Sequence, residues 1–98
     1  MKNLEKQIVT WNREIFPTAN DTAFRNKLYE ELQEAHEANL CGKLDNLEQE
    51  IADIAIVAIS WLARFRDKTL EQVIEDKFKI IQDRKYGPPD QNGGRFKI

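Results

Sequence analysis

Apolar residues recur at helical spacing almost from end to end of this chain, and only three short stretches interrupt them before the last dozen residues. Leu4, Ile8, Trp11 and Ile15 step along one helix face until Pro17 and the polar run Thr18 to Thr22 break it. A second helix is predicted to start at Asn20 or Asp21, either of which can cap it. It runs past Ala38 to a turn at Leu40-Cys41-Gly42-Lys43, with Gly42 as the pivot. A third runs from about Asp45 to Phe65, and Thr69 with Gln72 offers a capping-box start to a fourth that continues to about Tyr86. The closing "GPPDQNGG" excludes regular structure. Short connections between long helices imply antiparallel neighbours, so the predicted fold is an all-α antiparallel four-helix bundle, one domain over 1–98 with an irregular tail over 87–98.

Ninety-eight residues, 41% of them hydrophobic, leave room for a single core. The third helix is apolar around most of its circumference from Ile54 to Ala63, more than a bundle of this length covers by itself. A second copy is the expected cover, giving a homodimer or a dimer of dimers. The run Ile51 to Ala63 is too short to span a bilayer and contains Asp53, so it reads as a buried helix and membrane is not an expected partner. A net charge of -2 with scattered basic residues leaves no electrostatic footprint for nucleic acid. The lone Cys41 can form neither an internal disulfide nor a thiolate zinc site, and MKNLEKQIV lacks an apolar signal core. A cytoplasmic location is the expectation.

The stretch KLYEELQEAHEA holds the anomaly that points to chemistry. At about 100° per residue counted from Phe24, Leu28, Glu31 and Ala35 all fall within roughly 40° of that residue, so Glu31 sits in the middle of the apolar stripe. Glu34 follows three residues on, and Glu50 and Asp53 repeat that spacing in the next helix. Glu34 and Glu50 each stand eight residues from Gly42, and Glu31 and Asp53 each stand eleven away. If the chain folds back at Gly42, all four carboxylates converge, and a cluster of mutually repelling, partly desolvated charges needs cations. All-oxygen ligation favours Mg²⁺, with Mn²⁺ the other hard ion. A di-iron site would need Glu-x-x-His, but Gln33 stands three residues before His36, the only histidine, which reads as solvated.

The pattern Glu30-Glu31-x-x-Glu34 followed by Glu50-x-x-Asp53 resembles the MazG-like all-α nucleoside triphosphate pyrophosphohydrolases. "TWNREIFP" before it is similar to the opening of the small branch described as dATP/dGTP diphosphohydrolases. "KFKIIQDRKYG" is similar to that branch's closing K-x-x-x-N-x-x-R-x-W-G, with Ile81 and Tyr86 where the family has asparagine and tryptophan. The resemblance covers nearly the whole chain. It implies Mg²⁺-dependent hydrolysis of a nucleoside triphosphate, with a deoxynucleotide expected, to monophosphate and pyrophosphate. It also implies Glu31, Glu34, Glu50 and Asp53 as metal ligands, with Glu30 or Glu34 accepting the proton of the attacking water.

Other residues are weighed against that expectation. Lys77 and Arg84 are cations on the otherwise apolar face of helix four that carries Leu70, Ile74 and Ile81. They are read as substrate-binding groups, against the alternative that their stems pack and their charges reach water. Lys27 stands one turn before Glu31, and Trp11 is the aromatic read as stacking a base, while Trp61 and Phe24 read as core. Arg95 and Lys97 in the tail are further cations within reach of a triphosphate. The competing function is a non-enzymatic helical dimerisation or adapter module with a solvated acidic face. It leaves Glu31 on the stripe and Asp53 inside the greasiest helix without a reason.

Overall fold

The computed structural model describes residues 2–98, and four helices account for most of them: α1 (Lys2–Ile15), α2 (Asp21–Leu40), α3 (Leu44–Arg66) and α4 (Leu70–Gln82). The fold is all-α. Among the described residues there is no strand, only an isolated bridge between Tyr86 and Lys97. The α2 start is fixed by Asn20, whose Oδ1 accepts from Ala23 N at 3.0 Å, so of the two residues able to cap this helix Asn20 does so.

At the other end of α2 the backbone closes as a Schellman motif. Lys43 N donates to Ala38 O and Gly42 N to Asn39 O, with Gly42 at φ +68°. That left-handed conformation suits glycine because a Cβ there would crowd the backbone. The chain folds back at this point. Residues on opposite sides of Gly42 then meet, from the Glu31, Glu50 and Asp53 carboxylates to Asp21, which accepts from Trp61 Nε1 at 2.6 Å.

The core is small. Phe24, Ala38, Val57 and Ile59 are its buried apolar members. Phe24 is the hub, stacked on Trp61 at 6.2 Å, edge-on to Phe65 at 6.0 Å and covered by the Arg64 guanidinium at 5.2 Å. Truncating a buried phenylalanine costs about 3–5 kcal/mol, so Phe24→Ala removes much of what joins α2 to α3.

Helix α1 departs from the periodicity reading. Leu4, Trp11 and Ile15, three of the four residues expected to face the core, remain about half exposed, while the polar Glu5 and Asn12 are buried. The reason is tertiary: both polar side chains have partners that the sequence does not reveal. The Glu5 carboxylate accepts from Leu70 N at 2.6 Å and Glu71 N at 3.1 Å, so α1 caps the start of α4 beside the local cap from Thr69 to Gln72 N.

Helix α4 ends at Gln82, short of the expected Tyr86. Asp83 N and Arg84 N close onto Ile80 O and Ile81 O in tight turns. The following chain then turns away, Gly87 N donating to Phe96 O and Ile98 N to Lys85 O. The tail is therefore irregular but closed on itself, and Asp90 Oδ1 holds its tip by accepting from Asn92 N and Gly94 N.

Candidate metal centre and adjoining cavity

Three residues out of register with solvent define the centre of the α2–α3 pair. Glu31 is 3% exposed, and one carboxylate oxygen each from Glu31, Glu50 and Asp53 lie within 4.8 Å of one another. Glu34, half-buried, lies beside Glu50 but is not among the three whose oxygens converge, so three of the four expected carboxylates meet. Glu31 Oε2 and Glu50 Oε2 are enclosed and have no hydrogen-bond partner. A buried carboxylate oxygen without a donor is costly, and three acceptor-only groups facing one another have nothing to offer each other when ionised. Hard oxygens converging in this way fit Mg²⁺ or Mn²⁺.

The electrostatics record the crowding. Glu50 is pushed up to about 7, first by the neighbouring Glu34 carboxylate, then by burial and by Glu31. Asp53 is raised by burial and by the neighbouring Glu31 charge. Burial presses Glu31 upward too, yet it ends below its ordinary value because the Lys27 ammonium beside it favours the ionised form. Lys27 Nζ lies 3.0 Å from Glu31 Oε1 and 3.6 Å from Glu30 Oε2, and its own pKa is raised mainly by Glu31. In the ion-free chain one ammonium therefore faces a group of carboxylates. One cation does not balance them, and the proton-bound form of Glu50 is favoured accordingly.

A cavity of about 440 Å³ opens beside this centre. Lys27, Glu31 and Asp53 form part of its lining, and Trp11, Phe16, Phe24, Asn12 and Ser60 line it elsewhere. That volume lies in the range of small-ligand sites. Its composition joins aromatic faces to a charged group, which suits an amphipathic ligand carrying an anionic end.

The sequence-predicted residues divide clearly. Glu31, Glu50 and Asp53 come together, Glu34 adjoins them, and Lys27 and Trp11 line the cavity. Glu30 is exposed and pairs with Lys27 on the outside of α2. Lys77, Arg84, Arg95 and Lys97 join neither the carboxylates nor the cavity within the single chain, and α4 has no buried residue. Trp61 packs on Phe24 outside the cavity lining, whereas Phe24 serves both core and cavity. Periodicity missed Asn12, Ser60 and Arg64. The one available signal was Asn12 beside Trp11 at the end of a helix whose apolar face it nearly shares.

No protein-family model, curated protein or solved structure gave a significant match to this chain.

Proposed function

We propose that this chain hydrolyses a nucleoside triphosphate, with a deoxynucleotide preferred, to the nucleoside monophosphate and pyrophosphate, using Mg²⁺ (or Mn²⁺) held by Glu31, Glu50, Asp53 and Glu34. The observation that carries the reading is the enclosed, partnerless oxygen of Glu31 among converging carboxylates, at the mouth of an aromatic-lined cavity. The resemblance of the EExxE and ExxD pattern to MazG-like pyrophosphohydrolases supplies the reaction class. An adapter with a solvated acidic face would have no use for a carboxylate 3% exposed.

When bound, the ion supplies charge neutralisation and Lewis acidity toward phosphate oxygens. The chain's own residues do the rest. Glu31 and Asp53, on facing helices, would hold the ion together with Glu50, which would place the anionic end of a ligand near α2 and α3. Lys27, already at Glu31, is the nearest cation for a phosphate oxygen. Glu34 is the better placed of the two proton acceptors, because it is half-buried beside Glu50 while Glu30 faces outward. Trp11 offers an aromatic face at the cavity for a base.

The working assembly in this proposal is an antiparallel helical bundle, dimeric or a dimer of dimers, in the cytoplasm. Two quantities support association. The chain exposes 7811 Å², against about 5,800 Å² expected for a folded monomer of its mass. Ile74, Phe78 and Ile81 form a stripe on α4 that is 51%, 56% and 36% exposed. In such an assembly α4 brings Lys77, and the turn that follows it brings Arg84, to substrate phosphates. Among the described residues no helix is long and apolar enough to cross a membrane.

The test is a panel of ribo- and deoxynucleoside triphosphates with Mg²⁺, products resolved by chromatography. Monophosphate and pyrophosphate are expected in equal amounts. Release of orthophosphate and a diphosphate would rule the chemistry out.

A further inference from the structure

Among the described residues Arg64 makes more defined contacts than any other side chain, and none of those contacts is to an acid. Its Nη2 donates to Asn12 Oδ1 at 3.0 Å and to Asn12 O at 3.4 Å. Its Nη1 donates to Phe16 O and to Ala19 O, and its plane covers the Phe24 ring. The guanidinium is thus locked by the end of α1, the connection to α2 and an aromatic face. One consequence concerns Asn12. A guanidinium has only donors, so the amide must turn its oxygen toward Arg64, and the reversed amide would set two NH₂ groups against each other. The Nδ2 hydrogens are left over. They have no partner among the described residues, although Asn12 is 8% exposed and lines the aromatic cavity. Ser60, also lining it and 2% exposed, spends its hydroxyl hydrogen on Ile56 O at 2.8 Å, so its oxygen can only accept.

We infer that Asn12, oriented by Arg64, is the specificity-determining donor of this cavity, reading a ring-nitrogen or carbonyl acceptor on the edge of a nucleobase. The inference rests on the proposed function for the identity of the ligand, and extends it by naming what recognises the base. The Watson–Crick edge of every nucleobase sets an acceptor beside a donor, which matches an amide NH₂ together with an accepting hydroxyl oxygen. The aromatic groups of the lining supply faces for stacking, which tolerates any base. With Lys27, Glu31 and Asp53 in the same lining, a base read by Asn12 leaves the phosphates for the carboxylate end. Asn12 touches the ligand, whereas Arg64 acts through it and is a positioning residue.

Asn12→Asp separates recognition from structure, because the new carboxylate keeps an oxygen for Arg64 and gains an ion pair with it while losing the donor. The four deoxynucleosides are titrated into the metal-free full chain with tryptophan fluorescence as the readout, and tripolyphosphate with Mg²⁺ is titrated as the base-free control. Wild type is expected to bind at least one deoxynucleoside. Asn12→Asp and Asn12→Ala should weaken that binding tenfold or more, a loss of about 1.4 kcal/mol or more. Tripolyphosphate binding should stay the same, and the melting temperature of Asn12→Asp should be equal to or above wild type. Arg64→Lys, which keeps the charge but loses the fork, should weaken nucleoside binding and spare tripolyphosphate.

Equal nucleoside binding by wild type and Asn12→Asp overturns the inference, as does a wild type that binds no deoxynucleoside. If Asn12→Asp fails to fold, Asn12→Ala decides by the same two titrations. Nucleoside binding that depends on Asn12, with no triphosphate hydrolysed, would remove the proposed reaction and leave the inference standing. Pyrophosphate release that is indifferent to Asn12 would do the reverse.

Discussion

Each carboxylate at the centre carries a different part of the charge problem, and substitutions there have distinguishable outcomes. Asp53 is raised by burial and by Glu31, so its charged form is disfavoured in the ion-free chain. Asp53→Asn removes one repelling charge and is expected to abolish metal-dependent turnover while leaving the melting temperature unchanged or higher. Full activity at limiting Mg²⁺ would exclude Asp53 from the site.

Glu50 sets the pH dependence of the same centre. Its pKa is about 7 in the fold against an ordinary 4.5, so between those values the folded chain holds a proton that the unfolded chain has released. The stability it contributes is present below about 4.5 and is lost as pH rises through about 7. Glu31, shifted the other way, acts below its ordinary value of 4.5 and does not offset this at neutral pH. Chelator-treated protein should therefore melt at a lower temperature at pH 8 than at pH 5.5. Added Mg²⁺ should recover the difference at pH 8, because the ion binds only the folded site. A melting temperature flat across that range would mean that Glu50 does not hold the proton.

Among the elements, α4 is attached most lightly, and the attachment is a polar one. Glu5 on α1 is 2% exposed and accepts from the first two amides of α4. Glu5→Ala leaves those amides without their charged acceptor and is expected to cost about 2–3 kcal/mol, measured by urea unfolding. Protection of α4 amides from hydrogen exchange should fall before that of α2 and α3. Lys77 tests what α4 is for. Lys77→Met keeps the stem, should leave the melting temperature unchanged and should lower kcat/KM at least tenfold if the ammonium meets triphosphate. Unchanged kinetics would mean that the charge only reaches water and that α4 stays away from the site.

For the molecule as a whole, the radius of gyration of 15.9 Å exceeds the roughly 12.6 Å expected of a compact domain of this length. With a thin core and large exposed apolar residues on α1, α2 and α4, association is the expected remedy. Sedimentation at micromolar concentration should give a mass of two or four chains, with dissociation on dilution accompanied by loss of helix. A folded monomer retaining full activity would contradict that assembly.

The amino-acid order by itself determined the four helices and the place of the pivot, because those depend on local chemistry: period 3.6, an asparagine cap, a proline stop and a glycine able to take φ +68°. It also made the carboxylate centre legible, since Glu31 on an apolar stripe and positions equidistant from Gly42 need only helix geometry to be brought together. Only the tertiary structure decided which face of α1 is buried, that Glu5 caps a helix 65 residues away, and that Arg64 turns the Asn12 amide toward a cavity. Those are pairings of one particular polar atom with another across long separations in sequence. Periodicity reports how a helix divides apolar from polar, and it is silent on which buried polar atom finds a partner.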